Sequence, residues 1–256
     1  MTLAEVAVST PLNVVFLSGL SAVALVIVHV FSSRLRFLQA APRSRWLSFG
    51  SGVSVAYVFV HILPDLSVAQ ETLHQSWGEG WTFLEHHVYL LSLAGLVAFY
   101  GLERAAKVSR QRNQAAGQGD VTEVEVFWLH MVSFAPYNAL IGYLLLHREE
   151  SGVMSLLLFA VAMGLHFLVN DYGLREHHKK PYDQMGRWIL SAAVMTGWTI
   201  GSGTQIPQAA IAILFAFLAG GIVLNVLKEE LPDERESRFG AFALGATGYT
   251  VLLLAL

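Results

Sequence analysis

Cysteine is absent from the 256 residues, which excludes a disulfide framework, thiolate metal ligands and thiol catalysis. Charge is scarce. Asp, Glu, Lys and Arg make up 14% of the chain and hydrophobic residues 54%, whereas a soluble domain carries roughly 25% charged residues. Proline is also rare. Pro11, Pro42, Pro64, Pro181, Pro207 and Pro232 fall at or beyond the ends of apolar runs, where a missing N–H costs little. Pro136 alone interrupts one. No basic residue occurs in Met1 to Ser9, unlike the n-region of a cleaved signal peptide, so the first apolar run is expected to be retained. The formal net charge of -3 decides little, because in such a chain the placement of charge matters more than its sum.

What is present is apolar sequence in runs of membrane-spanning length, about 20 residues each. Spans are expected at about 11–31, 46–66, 86–105, 124–147, 152–173, 186–203, 207–227 and 239–256. This predicts an all-α integral membrane protein, 1–256 being a single transmembrane domain and 106–122 a cytoplasmic loop. Orientation follows from the positive-inside rule. Arg34, Arg36, Arg43, Arg45; Arg104, Lys107, Arg110, Arg112; Arg175, Lys179, Lys180, Arg187; and Lys228, Arg235, Arg238 occupy alternate connections, and only Arg148 lies on the other side. Both termini are then outside the cytoplasm, and a prokaryotic inner membrane is the expected location.

Two spans end alike. The second closes on Gly52…His61-Ile-Leu63-Pro64-Asp65 and the seventh on Gly220…Glu229-Glu-Leu231-Pro232-Asp233, at a constant offset of 168 residues. The two run in opposite directions, as in inverted-repeat transporters, whose substrate site lies near the midplane. The alternative is a shared helix-stop signal. If the repeat holds, spans one to three and six to eight correspond, leaving four and five as a central pair.

Polar groups inside spans four and five are the candidate site, because ionisable residues in hydrocarbon are costly and mark pathways. His130, Ser133 and Tyr137 share a helical stripe, with Asn138 beside it, and Pro136 frees the Val132 carbonyl as a ligand or hinge. His166 and Asn170 lie at i, i+4, while Asp171 is turned about 140° away. An imidazole with amide and carboxylate oxygens suits Zn²⁺ or a similar divalent ion. An interhelical hydrogen-bond cluster accounts for the same residues. His61 and Asp65 share a face near the outer end of span two. His74, His86 and His87, with Glu71, Glu79 and Glu85, form an outer loop that either collects cations weakly or is interfacial chemistry beside Trp77 and Trp81. His177 and His178 read as solvated residues of a basic loop.

This layout resembles the ZRT/IRT-like (ZIP) family of divalent metal transporters. The resemblance implies eight helices in a 3+2+3 arrangement with inverted repeats and a metal site between helices four and five. Gly52…His61-Ile-Leu63-Pro64-Asp65 and Glu229-Glu-Leu231-Pro232-Asp233 resemble the family's second- and seventh-helix segments. The metal-binding helices depart from it: Ser133 and Tyr137 stand where the fourth helix carries His and Glu, Asn170 replaces a Glu after His166, and the sixth span, Trp188 to Gly203, has no acidic residue. The expectation is a transporter with a reduced, at most mononuclear site of His166, Asn170, Asp171, His130, Tyr137 and Ser133. His61, Asp65, Pro136, Asn138 and Glu229 are secondary or gating positions, and the substrate is a divalent metal, zinc first, then iron or manganese. Two alternatives stand beside it. One is a ZIP-fold protein that has lost metal transport and carries another solute or serves as a sensor or partner subunit. The other is an intramembrane metalloenzyme of the CAAX-processing type, which the reversed order of the Glu229-Glu230 and His166 motifs disfavours, so no enzymatic activity is expected. The expected partners are the lipid bilayer and a metal ion or other small solute, with no organic cofactor and no nucleic acid. The Gly201-Ser-Gly203 and Gly220-Gly221 pairs permit close helix contacts, a homodimer among them.

Overall fold

The computed structural model describes residues 12–32, 45–77, 87–148, 152–230 and 238–254. The Leu-Pro-Asp segment after span seven, the first basic connection and the 78–86 connection lie outside these residues, as do the side chains of His87, Glu229 and Glu230. Within them the protein is all-helical, with eight helices. Helix α1 is Leu12–Phe31. Helix α2 joins Arg45–Tyr57, a π-helical turn Val58–Ile62 and Leu63–Trp77. Helices α3, α4 and α5 are His87–Ala115, Val124–Leu144 and Val153–His178. Helix α6 opens with a π turn, Tyr182–Gly186, and continues as Arg187–Gly203. Helix α7 is Gln208–Asn225 with a π turn Val226–Glu230, and α8 is Phe239–Leu254.

Five of these, in α1, α2, α3, α5 and α7, are long and apolar enough to cross a membrane. Helix α1 shows the pattern that goes with a lipid surround. Phe16, Leu20, Val23 and Ile27 face outward at helical spacing, while Ser18, Ala22, Leu25 and His29 are buried on the opposite side. Apolar residues outside and polar ones inside invert the arrangement of a water-facing helix, and this is an integral membrane protein.

Several helices outrun the expected spans. Helix α2 passes through Pro64 without stopping, so Leu63-Pro64-Asp65 is not a helix end. The π turn before it explains why: Leu63 N donates to Val58 O, an i→i−5 bond that opens the ladder just where the proline ring needs room. Helix α3 runs about 43 Å at 1.5 Å per residue and takes in Arg104, Lys107, Arg110 and Arg112, much of the segment expected as loop 106–122.

Glycines fix the packing. A Cβ on Gly142 would stand 2.1 Å from Val194 O, and one on Gly197 1.8 Å from Ala139 O, so α4 and α6 meet backbone to backbone. Helices α2 and α8 meet through Gly52 against Phe242 O and Gly245 against Phe49 O. Helices α3 and α7 meet through Gly220 against Ser92 O and Gly95 against Phe217 O. Only a residue without Cβ permits such approach. Gly220 and Gly221 are therefore spent inside the chain, Gly221 against the Phe99 ring, and are not free for a second copy. With α1 packed on α5 and α6, and the Leu63–Trp77 part of α2 on α7, the helices sort into two bodies: α1, α4, α5 and α6, and α2, α3, α7 and α8. The central pair α4 and α5 expected from the sequence joins the first body through different partners.

The 168-residue offset recurs in these contacts. It relates Gly52 to Gly220, Phe49 to Phe217 and the π turn Val58–Ile62 to Val226–Glu230, while an offset of 150 relates Ser92, Gly95 and Leu96 to Phe242, Gly245 and Ala246.

Candidate polar site between helices α4 and α5

Four buried polar atoms on α4 and α5 have no hydrogen-bond partner: Tyr137 Oη, His166 Nε2, Asn170 Nδ2 and, at the basic end, His178 Nε2; the first three are the candidate site. Tyr137 comes from α4 and meets the His166 ring edge to face, with centroids 5.7 Å apart. Asn225, at the end of the α-helical part of α7, donates from Nδ2 to Asn170 Oδ1 at 3.4 Å. Each unmet group buried this way costs roughly 1–3 kcal/mol, and such groups call for an explanation.

Of these, His166 and Asn170 line the smaller of two cavities, and Tyr137, against the His166 ring, lies on α4 between Phe134, which lines the smaller, and Tyr143, which lines the larger. Toward the ends of α4 and α5 that carry Tyr143, His147 and Ser155, a vestibule of about 610 Å³ is lined by Tyr57, His61, Asp65, Tyr143, His147 and Arg148, among others. Toward the opposite, basic end a cavity of about 30 Å³ is lined by His166, Asn170 and Asn225 together with Glu103, His177 and Lys228. It has room for about one water.

Asp171 does not join this site. Its carboxylate lies 2.9 and 3.0 Å from His29 Nδ1, on α1, and accepts from Tyr182 Oη at 2.5 Å. The other nitrogen, His29 Nε2, lies 2.8 Å from Asn138 Oδ1, and Asn138 Nδ2 donates to Phe134 O at 2.8 Å. A carbonyl cannot donate, so Asn138 must turn its amide nitrogen to Phe134 and its oxygen to His29, and His29 Nε2 therefore carries a proton. The Nδ1–Asp171 contact then holds one further proton in either of two placements, and both leave the unit neutral overall. All four members are essentially fully buried, and the His29 ring stacks on Phe167 at 4.3 Å. Asn138 and Asp171 thus serve a closed, satisfied network that ties α1, α4, α5 and the start of α6 together. In this structure their polar atoms are turned to that network and not to Tyr137, His166 and Asn170.

Other expected positions disperse. Ser133 donates to Leu129 O and, with Pro136, lines an apolar groove on the outer surface. Val132 is 68% exposed there, so neither this stretch nor a carbonyl freed by Pro136 belongs to the site. His130 stays closer: it is buried one helical stretch nearer the basic end and lines the small cavity together with His166 and Asn170. Its Nδ1 donates to Val126 O at 2.9 Å, and its ring stands against His178 at 4.8 Å. His61 and Asp65 approach to 3.5 Å and line the vestibule as a pair. His177 and His178 are buried, contrary to the reading of a solvated loop: α5 continues to His178, whose Nδ1 is 2.6 Å from Thr122 Oγ1. Among the described residues no group of three or more His, Asp or Glu converges as a metal site.

His29, Tyr182 and Asn225 were not singled out by the sequence reading. A signal existed for His29, an imidazole inside the run Leu12–Phe31. Tyr182 and Asn225 carry none, because a phenol beside a loop and an amide near a span end are ordinary.

No family model, curated protein or solved structure matches the chain.

Proposed function

We propose that this chain is a ZIP-like membrane transporter whose solute passes along α4 and α5 through Tyr137, His166 and Asn170, and that the solute is small, polar and uncharged. The observation that carries this reading is the set of three buried, unpartnered polar atoms at the small cavity and on the stretch of α4 between it and the vestibule. Groups that exist to hold a fold find partners within it, as His29, Asp171 and Asn138 do. Groups left open in a membrane interior mark a path.

The transporter frame is supported by the offsets of 168 and 150 residues, which relate α2 with α8 to α7 with α3 at the same backbone contacts. An inverted repeat predicts such a relation. With the basic end cytoplasmic, the vestibule opens to the outside.

The class of solute follows from the donor set. A phenol, an imidazole and an amide offer hydrogen bonds without net negative charge; the Asp171 carboxylate is committed to His29 and Tyr182, and that of Glu103, at the small cavity, to Lys228 and His177. A divalent ion stripped of water needs that charge. A ZIP-fold carrier of another solute therefore fits better than a zinc, iron or manganese carrier, and a hydrolytic metal centre fits least. The test is uptake into proteoliposomes, with glycerol and urea followed by light scattering and zinc, manganese and iron by entrapped indicator. Wild type is expected to pass an uncharged solute, His166→Ala to pass it at least tenfold more slowly, and neither to raise metal entry above empty vesicles. Zinc entry that His166→Ala abolishes would replace this reading with metal transport.

A further inference from the structure

The two helix bodies are held at the basic end by charged groups arranged in an unusual way. Glu103, on α3, accepts from Lys228 Nζ of α7 at 2.6 Å and from His177 Nε2 of α5 at 3.0 Å. Arg110, on α3, donates to Asp120 at 2.5 and 2.7 Å. It also reaches across to His177 Nδ1 at 3.3 Å and Glu176 Oε1 at 3.4 Å. Glu176 in turn accepts from Lys179, three residues on, at 2.8 Å. A guanidinium only donates, so His177 presents Nδ1 as acceptor to Arg110 and its Nε2–H to Glu103.

Each charged member of these contacts makes its shortest pair on its own side, at 2.5–2.8 Å, and reaches across at 3.0–3.4 Å. Every charged member of a cross-body contact has a second partner on its own side: Glu103 has Lys228, Arg110 has Asp120, and Glu176 has Lys179. Pulling α5 away from α3 and α7 therefore strands no charge. That matters because breaking a buried pair is costly mainly when it leaves one partner uncompensated. A permanent staple has no need of this redundancy, whereas a contact that opens and recloses does.

The opposite end is already parted. The vestibule there takes its lining from α2 and α7 of one body and from α4 and α5 of the other, while the basic-end cavity just behind Glu103 and His177 is about one water in size.

We propose that the Glu103–His177 and Arg110–Glu176 contacts are a reversible gate between the two helix bodies, closed in this structure, whose opening exposes the small cavity and the α4/α5 site to the basic side. The gate concerns movement and not cargo. Its readout needs no solute, so its failure is distinguishable from failure of the transport reading.

The absence of native cysteine makes accessibility labelling clean. Gly173 lines the small cavity, and a Cβ there meets nothing within 4 Å, so Gly173→Cys is a reporter that fits. In the full chain in vesicles, a membrane-impermeant maleimide is applied from either side. Adding His177→Leu, which removes two cross-body contacts, is expected to raise labelling from the basic side about tenfold and to lower it from the vestibule side. Glu176→Ala, at a half-exposed surface position, is expected to raise basic-side labelling about twofold to threefold, and it serves if His177→Leu does not fold. Unchanged basic-side labelling in Glu176→Ala and in a folded His177→Leu would overturn the gate. A rise of equal size from both sides would do the same, because it reports general loosening.

Discussion

At the residue scale the sharpest contrast is between two buried histidines on neighbouring helices. His29 has both ring nitrogens engaged, by Asp171 and Asn138. His166 has Nε2 without a partner. The first is a structural group and the second an available one. Replacing His29 with Leu leaves Asp171 buried with only the Tyr182 hydroxyl, and the expected loss is about 3 kcal/mol or more. The double replacement His29→Leu, Asp171→Leu is expected to recover most of it, which a double-mutant cycle of unfolding in detergent measures. Ser133→Ala, on the outward face of α4, is expected to change stability by less than about 0.5 kcal/mol. Helix geometry turns Asp171 away from His166 and Asn170, yet the sequence expectation counted it among the ligands of their site. Sequence alone had no means of finding what Asp171 faces, because His29 is 142 residues away and the pairing depends on how α1 packs on α5.

At the scale of helices, extent was partly legible. Charge alternation and run length located all eight elements, since both are local properties. What they could not show is where a helix continues beyond hydrocarbon. Helix α3 carries its arginines on helical turns to Ala115, and α5 continues to His178, because packing at the basic end supports backbone that apolar periodicity does not mark. Glycine roles were legible only in part, since a glycine gives the same letter at a crossing and on a free surface. Gly197→Ala, whose Cβ would stand 1.8 Å from Ala139 O, is expected to force α4 and α6 apart at a cost of roughly 1–3 kcal/mol or more. Gly101→Ala, exposed with nothing within 4 Å, is expected to be stabilising by about 0.5–1 kcal/mol. Thermal unfolding of the pair separates the two kinds of glycine.

Between α3 and α4 the connecting segment has a pH signature. Hydrogen bonds from Arg110 hold the Asp120 carboxyl below its ordinary range. Its folded pKa is depressed, so the contact contributes above the ordinary carboxylate range and is lost as pH falls through the depressed value. Because Asp120 is well exposed, the effect is expected to be local. Amide protection factors over residues 116–123, corrected for the intrinsic pH dependence of exchange, should fall on acidification in wild type, and in Asp120→Asn they should be low throughout.

At the scale of the whole molecule, two four-helix bodies meet in a membrane, with an open vestibule at one end, charged contacts at the other and an unsatisfied polar site between. The 168-residue offset was visible in sequence as one short motif. Its extension to the helix crossings and π turns was not, because those depend on backbone approach. The most direct measurement pairs flux with stability in Tyr137→Phe, which removes one buried, unpartnered hydroxyl and little else. A transport site predicts that glycerol or urea flux in proteoliposomes falls at least tenfold, while the unfolding midpoint holds or rises, since an unmet polar group costs roughly 1–3 kcal/mol. Unchanged flux together with lower stability would show that the hydroxyl serves the fold, and would contradict the account.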